Sequence, residues 1–402
     1  MERIGGKKLK INDGIVFAVL AISGLDFMNM GIFILGAFAL VYIAFNHNFV
    51  PTKAIIPVVL FGITYAVSLF WVDGSLNNII KALLIPVVWL FGYIFLTGKP
   101  FETLMKALVF MAFGMVMHGI INLIYNIVIG NDYHTSQVYD VFSRSISSAT
   151  GQTTNFTMIV ALAFWLVFIQ QTVWLKIVSA VLYLIALYYD VSIGGRTFLV
   201  MSLFSIVFCS IAYLFFFFKD RNSYRKGIIL ILVLVIVFVF VIVAYNRNWF
   251  SIRSIFSSSY LNTRLQRGSN VVNDQRFERK GIYLKHMGEF LWGGHALSQA
   301  YDISYAHDIW LDTYDEAGMI VFVTLLAYTV FSIIHFFKIA MVKMIDLKHR
   351  IVLINLMLIM MAQFFIEPII KSVPIFFFLY LVIDGMICAC ILNDKTRERA
   401  AL

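Results

Sequence analysis

The dominant pattern along the chain is a series of long apolar runs separated by short polar segments. Most runs hold roughly 18 or more residues, enough to cross a ~30 Å hydrocarbon core as a helix. The runs are continuous rather than alternating, which argues against a membrane β-barrel. The pattern predicts an all-α polytopic membrane protein of about twelve transmembrane helices. The predicted spans cover residues 14–27, 28–45, 53–71, 77–96, 102–129, 153–171, 173–190, 196–218, 227–245, 317–338, 350–368 and 373–392.

The spacing of the runs divides the chain into three parts. Residues 1–245 hold the first nine predicted spans, residues 246–316 form one large loop, and residues 317–402 hold the last three spans and a polar tail. Within the loop, the segment from Arg276 to Trp292 is typical of an amphipathic helix, which we expect to lie on the membrane surface. Its apolar positions are Phe277, Leu284, Met287 and Leu291.

Composition supports the membrane assignment. Hydrophobic residues make up 61% of the 402 residues and charged residues only 13%, whereas charged residues are about a quarter of a soluble domain. The three cysteines all fall inside apolar spans, so we expect no external disulfide. A basic start followed by a short apolar run resembles a signal peptide, with a possible cleavage site at Ala21–Ser23. We favour an uncleaved first span, and cleavage would not alter the sidedness of later segments.

Charge distribution predicts the orientation. Lysine and arginine excess marks cytoplasmic loops. With the N-terminus inside, most lysines and arginines fall on predicted inner segments, whereas the short outer connections hold only Arg144, Arg196 and Lys371. The long loop is exempt, because long loops are translocated regardless of charge. Both termini are therefore expected in the cytoplasm and the long loop outside.

The first candidate for an anion-binding site lies at the start of the eighth predicted span, at residues 194–196. Gly194 and Gly195 precede Arg196, and the free N–H groups and positive dipole end of a helix favour anions at such a place. The planar guanidinium of Arg196 also suits phosphate oxygens. The alternative is an arginine anchored among lipid headgroups, as at many span ends.

The long loop supplies further cations and a histidine. Arg276, Arg279 and Lys280 cluster within about one helical turn, either as an anion site or as a solvated basic face. If residues 307–316 form a helix, His307 and Leu311 share one face. The acidic residues would then form a stripe of Asp308, Asp312, Asp315 and Glu316. No spacing typical of metal ligands supports a metal site or another cofactor. An outward-facing loop also argues against nucleic acid as the partner.

Three short motifs resemble the O-antigen ligase/polymerase family. His307-Asp308-Ile309-Trp310-Leu311, followed by Glu316-Ala317-Gly318, is similar to that family's His-Asn-x-x-Leu and Glu-x-Gly pattern. Ser192–Thr197 resembles its Ser-x-Ser-Arg-Thr stretch, and Arg276 with Gly293-Gly294 resembles its arginine helix and Gly-x-Gly. Asp308 stands where the family has Asn, and Gly195 where it has Ser.

The resemblance implies a metal-independent glycosyltransferase of the bacterial cytoplasmic membrane. Its donor would be a glycan on an undecaprenyl diphosphate carrier, and its acceptor a sugar hydroxyl on the outer face. It implies that Arg196, Arg276 and Arg279 bind the diphosphate and that His307 is the general base. Gly194, Gly195, Asp308 and Glu316 would support them. Membrane lipids, a flippase and a chain-length regulator would be its partners.

Alternative functions remain open at this stage. Within the family, the protein could polymerise repeat units for capsule, exopolysaccharide or O-antigen, or it could be a ligase that passes a finished glycan to lipid A core or protein. From another class, it could be a transporter or lipid-carrier flippase. A transporter is expected to place critical polar groups near the midplane, and Asp384 and Lys81 are the candidates there.

The orientation is testable by labelling single cysteines. We expect an impermeant thiol reagent to label a Ser258→Cys variant in intact cells, because position 258 lies in the predicted outer loop. A Ser223→Cys variant should react only after lysis. Labelling of position 223 but not of position 258 in intact cells would invert the topology and place the candidate residues inside.

Overall fold

The computed structural model describes residues 11–46, 52–130, 137–216, 242–262, 275–343 and 345–401, with scattered positions between 225 and 240. It confirms an all-α polytopic membrane architecture. Eight of its helices are long and apolar enough to cross a membrane. They are α3 (Ile55–Val72), α4 (Leu76–Leu96), α5 (Phe101–Val128), α8 (Val173–Ile193), α9 (Arg196–Phe216), α14 (Met319–Ile339), α15 (Leu347–Ile366) and α17 (Pro374–Ala401). Two shorter apolar helices, α1 (Asp13–Leu25) and α2 (Gly31–Phe45), precede them.

The helices in the described residues thus account for some, but not all, of the twelve predicted spans. The predicted span 153–171 is broken into α6 (Ala149–Thr154), α7 (Thr157–Phe164) and a π-helical turn at Trp165–Ile169. The break has a physical reason, because α6 is polar and fully buried against neighbouring helices. The predicted span 227–245 and the loop arginines Arg264 and Arg267 lie largely or wholly outside the described residues.

Short elements gather between the long helices. An antiparallel hairpin pairs β1 (Gln137–Asp140) with β2 (Ser145–Ser148). The described part of the predicted loop contains several short helices, of which four are α-helices with both ends described. They are α10 (Ile252–Ser258), α11 (Gln275–His286), α12 (Ala296–Ala300) and α13 (Ile309–Ala317). A final short helix, α16 (Ile369–Ser372), joins α15 to α17. The amphipathic helix predicted up to Trp292 ends at His286, and turns follow it.

Helix α17 is the centre of the bundle and is almost wholly buried. It packs closely on α4 through two glycines. A Cβ at Gly92 would collide with the carbonyl group of Val382, and a Cβ at Gly385 would collide with that of Trp89. Small residues at such a crossing let two backbones approach, which is how membrane helices gain packing energy.

A polar contact locks the same crossing. The Asp384 carboxylate accepts a hydrogen bond from Trp89 Nε1 at 2.7 Å and lies 3.1 Å from His335 Nδ1. All three side chains are buried. A buried charge inside a membrane is costly unless it is paired, so these contacts explain how Asp384 is tolerated between α4, α14 and α17.

The loop segments collect at one end of the bundle. The C-terminal end of α3 and the N-terminal ends of α4 and α17 meet Gly294, His295 and Glu316 around one cavity. This end carries the candidate functional residues.

Candidate functional site

Two cations of helix α11, Arg276 and Lys280, contact the rest of the protein. The Arg276 guanidinium donates to the carbonyl oxygen of Ile366 at 3.3 Å and lies 3.7 Å from Glu367 Oε1. Glu367 is only 1% exposed. The guanidinium therefore sits at the C-terminal end of α15, where the helix dipole and unsatisfied carbonyl groups favour a cation.

Lys280 extends the same contact. Its Nζ donates to the carbonyl oxygen of Phe365 at 2.6 Å and pairs with Asp308 Oδ2 at 3.1 Å. Arg279 lies half-buried beside it, whereas Phe277 is exposed on another side of the helix. The interpretation of a solvated basic face is thus wrong for Arg276 and Lys280. The sequence analysis placed Lys280 in the basic cluster but did not include it among the residues assigned to the diphosphate, although its position four residues after Arg276 was a signal for it.

His307 lies next to this contact, outside any helix. Helix α13 begins at Ile309, and Asp308 is its N-cap, accepting from the backbone N–H groups of Trp310 and Leu311 at 3.1 and 3.2 Å. His307 is half-buried and has a left-handed backbone, with φ of 56°. The expectation that His307 and Leu311 share a helix face is therefore wrong.

Asp312 holds the backbone on both sides of His307. Its Oδ1 accepts from Ala306 N at 2.7 Å, and its Oδ2 accepts from Asp308 N at 2.9 Å. A left-handed backbone costs a non-glycine residue on the order of 1 kcal/mol or more. These two hydrogen bonds help to offset that cost and fix where the imidazole begins.

The acidic residues of α13 do not form a stripe with one role. Asp308 caps the helix and Asp312 holds the preceding turn, as described above. Asp315 accepts from His295 Nδ1 at 2.8 Å and from Ser298 Oγ at 2.8 Å. Glu316 accepts from Tyr65 OH at 2.9 Å. The helix cap requires Asp308 to have a short acceptor side chain, and Asn would serve there as well.

The pair of His295 and Asp315 was not selected from the sequence. Burial alone would raise the pKa of Asp315, but hydrogen bonds from His295 and Ser298 outweigh it and lower that pKa below its ordinary value. With Nδ1 donating to Asp315, the neutral His295 ring presents an acceptor at Nε2, which lies 3.2 Å from Lys371 Nζ. The only local signal was Gly293-Gly294 before His295, since Asp315 is twenty residues away.

Arg196 opens α9 as predicted, but the glycines before it do not offer free N–H groups. Gly194 ends α8 with a left-handed φ of 78°, and the N–H of Gly195 donates to the Asp190 carbonyl oxygen at 2.7 Å. The N–H of Arg196 donates to Gly194. A Cβ at Gly195 would collide with the buried carboxylate of Asp190, which explains why glycine stands there. The prediction that the N–H groups of these glycines bind an anion is therefore wrong. The half-buried side chain of Arg196 remains the candidate for anion binding at this position.

A buried polar layer links the turn before Arg196 to Arg276. Thr153 donates to the Asp190 carboxylate, and the neighbouring Thr154 accepts from Gln363 Nε2 at 2.6 Å. Gln363 lies one helical turn before Glu367, the partner of Arg276. The two predicted arginines are thus attached to one continuous set of contacts at the same end of the bundle.

Glu316 leads into the cavity at this end, which has a volume of about 430 Å³. Its polar wall includes Lys81, His295, Glu316 and Lys371. Arg196, Arg276 and His307 are not among its lining residues in the described part of the chain. The structure therefore brings Glu316 together with His295 rather than with His307.

The buried carboxyl group of Asp312, which accepts a hydrogen bond on either side of His307, should make the stability of the protein depend on pH. Burial raises the pKa of Asp312 to about 7, although hydrogen bonds from Asp308 and Ala306 lower it. The Asp312 carboxyl group then holds its proton more tightly in the folded protein than in the unfolded chain. Its contribution to the free energy of unfolding is therefore present at low pH and is lost as pH rises from about 4 to about 7. In detergent, wild-type protein should lose more thermal stability between pH 5 and pH 8 than Asp312→Asn. Asp302→Asn, at an exposed position, should keep the wild-type slope, and parallel curves for wild type and Asp312→Asn would refute the assignment.

Comparison with known proteins leaves the motifs as the basis of the resemblance. No protein-family model matches the chain, and no curated protein matches it. The similarity to the O-antigen ligase/polymerase family is carried by the segments around Arg196, Arg276 and His307.

Proposed function

We propose that the protein is a membrane glycosyltransferase that joins undecaprenyl-diphosphate-linked oligosaccharide repeat units into a capsular, exo- or O-antigen polysaccharide. The observation that carries the proposal is the contact of Lys280 with Asp308. Through it, the cationic face of α11 is held beside His307, so that cations and a candidate base meet at one end of the bundle. The proposed transfer needs cations and a base, because a lipid diphosphate leaves as a proton is removed from the acceptor hydroxyl.

The residues divide the chemistry as follows. A hydroxyl oxygen of the acceptor sugar attacks the anomeric carbon of the donor, and the bond from that carbon to the diphosphate oxygen breaks with inversion. His307 takes the hydroxyl proton, and Arg196, Arg276 and Arg279 stabilise the charge that develops on the departing diphosphate. Lipid diphosphate, the lengthened glycan and a proton are the products. No metal or other cofactor takes part in this scheme.

The surroundings of Arg276 suit this role. The guanidinium is 28% exposed on the side chain, and its position is set by a buried carboxylate and a backbone carbonyl group. A cation that is placed before the substrate arrives needs no reorganisation during the reaction, which is the source of most electrostatic catalysis. The helix that carries it also exposes Phe277 and Leu284, each more than half exposed, and these side chains suit contact with the lipid of the donor's membrane leaflet.

A ligase, which would pass a finished glycan to lipid A core or protein, would use the same donor chemistry and differ only in its acceptor. A transporter or flippase is less well supported, since mid-span Asp384 is locked to Trp89 and His335. We place the protein in the bacterial cytoplasmic membrane with both termini in the cytoplasm. A flippase would deliver its substrate, and a chain-length regulator would act on its product.

Conservative replacement of the arginines tests the diphosphate role. Losing a charge-assisted, two-pronged contact typically costs about 1.5–3 kcal/mol, which is roughly a ten- to hundredfold loss of rate. Arg196→Lys and Arg276→Lys should each lower polymer output by that order at matched protein levels, because lysine lacks the planar fork. Arg253→Lys changes an exposed arginine of the same loop and should leave output unchanged. Wild-type output from both site variants would remove the arginines from the mechanism.

Replacement of His307 tests the base. A general base typically contributes about 10²–10⁴-fold to rate, so His307→Ala should nearly abolish transfer in a purified assay with lipid-linked substrate while donor binding persists. His286→Ala is the matched control, since His286 contacts Glu289 and Tyr301 at the other end of α11. Activity of His307→Ala within a few-fold of wild type would exclude the base role.

A further inference from the structure

Two cavities meet at a pair of lysines. The cavity of about 430 Å³ and a second one of about 580 Å³ share three lining residues, Lys81, Lys371 and Pro374. Lys81 comes from the first turns of α4, and Lys371 from α16. Both side chains are half-buried. The lysines thus stand at the passage from one cavity to the other.

Neither lysine forms an ion pair with a described carboxylate. Lys371 Nζ lies 3.2 Å from His295 Nε2 and 5.0 Å from the centre of the Tyr305 ring, and Lys81 Nζ lies 6.0 Å from that of Phe33. Partly desolvated cations are costly without a counter-ion. Asp26 and Glu316 act on Lys81, and Asp312 acts on Lys371, only at longer range than an ion pair. An anion bound in the passage would therefore be the first to contact both ammonium groups directly.

The carboxylates that line the two cavities contact other groups. Glu316 accepts from Tyr65 OH at 2.9 Å, and Asp73 accepts from Asn78 Nδ2 at 2.7 Å. In the second cavity, Asp26 accepts from Gly31 N at 2.8 Å, and Asp140 lies 3.1 Å from His118 Nε2. Each of these four carboxylates accepts a hydrogen bond from a group other than a lysine, so none of them occupies the position next to the two ammonium groups that a ligand would take.

His295 fixes the direction of Lys371. Asp315, which is 4% exposed, holds the His295 ring through Nδ1, so Nε2 accepts from the lysine. One N–H of the ammonium group is used in this way and two remain. The contact with His295 restricts the Lys371 side chain before any ligand binds, so less conformational entropy is lost when an anion binds.

A groove that faces the membrane adjoins the first cavity. It has a volume of about 640 Å³ and lies between α3 and α14, with Val72 in the wall of both. Most of its lining side chains are apolar, and Val67 and Ile320 among them are more than half exposed. Trp71 and Trp292, 80% and 81% exposed, stand at its rim, as tryptophans do at the membrane–water interface.

The second cavity has a different chemistry. Its wall is rich in hydroxyl and amide groups from the β-hairpin and α6, which are the partners that sugar hydroxyls need. They are Ser143, Ser145, Ser147, Ser148, Gln152 and Asn155. The groove is thus lined mainly by apolar side chains, the passage between the cavities by two lysines, and the second cavity by hydroxyl and amide groups.

We propose that Lys81 and Lys371 bind the diphosphate of a second lipid-linked glycan, the acceptor, whose prenyl chain lies in the groove and whose sugars lie in the second cavity. This inference rests on the proposed function and narrows it. A polymerase joins two lipid-linked glycans, whereas a ligase needs only one. The acceptor's diphosphate is separated from its reacting hydroxyl by a whole repeat unit. Its site must therefore lie apart from the base, and His307 lines neither cavity in the described part of the chain.

The test counts bound carrier lipid. Full-length protein in nanodiscs of neutral lipid is titrated with undecaprenyl diphosphate that carries no glycan. Wild type should bind two molecules, and the variant with Lys81→Gln and Lys371→Gln should bind one, with affinity at the lost site reduced at least tenfold. The variant with both lysines changed to arginine should keep two sites, which separates a charge effect from misfolding. Lys348→Gln changes a partly exposed lysine at the opposite end of α15, and this variant should also bind two molecules.

Binding of partial ligands shows whether the site recognises the prenyl chain, the diphosphate or both. Undecaprenol and inorganic pyrophosphate should each bind at least tenfold more weakly than the lipid diphosphate, since each lacks one part of the ligand. Equal binding by pyrophosphate, or displacement by excess phosphatidylglycerol, would overturn the assignment to a prenyl diphosphate. Two molecules bound by the Gln variant would overturn the lysine site itself. Loss of one site in that variant, in a protein that does not lengthen lipid-linked glycans, would keep the site and reject the proposed function.

Discussion

The contact on which the site depends is that of the cationic face of α11 with the C-terminal end of α15. Lys280 and Arg276 donate to the carbonyl oxygens of Phe365 and Ile366, which have no partner within the helix. This contact holds a loop helix against the membrane-spanning bundle. Through Asp308, it also sets where α13 begins and therefore where His307 stands. Without this contact, Arg276 and Arg279 would lie on a solvated loop helix rather than beside the bundle.

The spans were largely predictable because their cause is local. A run of about 18 apolar residues has to form a helix in hydrocarbon, whatever lies elsewhere in the chain. Predicted and observed bounds of α3, α4 and α14 accordingly differ by only a few residues. The predicted span at 153–171 was wrong in form, because the polar helix α6 is accommodated by Gln363, more than 200 residues later in the chain.

The positions of the candidate residues were predictable only where the signal was local. Arg196 at the opening of α9 and His307 beside the start of α13 follow from short motifs. The pairing of His295 with Asp315, and the meeting of Lys81 with Lys371, depend on packing between distant segments. The glycines before Arg196 show the opposite error. A local rule assigned their N–H groups to an anion, whereas Gly195 is explained by the buried carboxylate of Asp190 beside it.

The arrangement of polar groups bears on the class of protein. The mid-span polar groups Asp384, His335 and Trp89 bind one another. The two lysines Lys81 and Lys371, by contrast, line the cavities at one end of the bundle. This is the layout expected of chemistry at a membrane surface, with the lipid tail of a substrate remaining in the bilayer.

The most direct measurement follows purified protein in liposomes with a single lipid-linked repeat unit as its only substrate. Glycan length and released undecaprenyl diphosphate are determined together. The account predicts that each added unit releases one molecule of lipid diphosphate, without added metal or nucleotide. Unchanged glycan length, with the lipid-linked unit merely moved from one leaflet to the other, would contradict the account and identify a flippase.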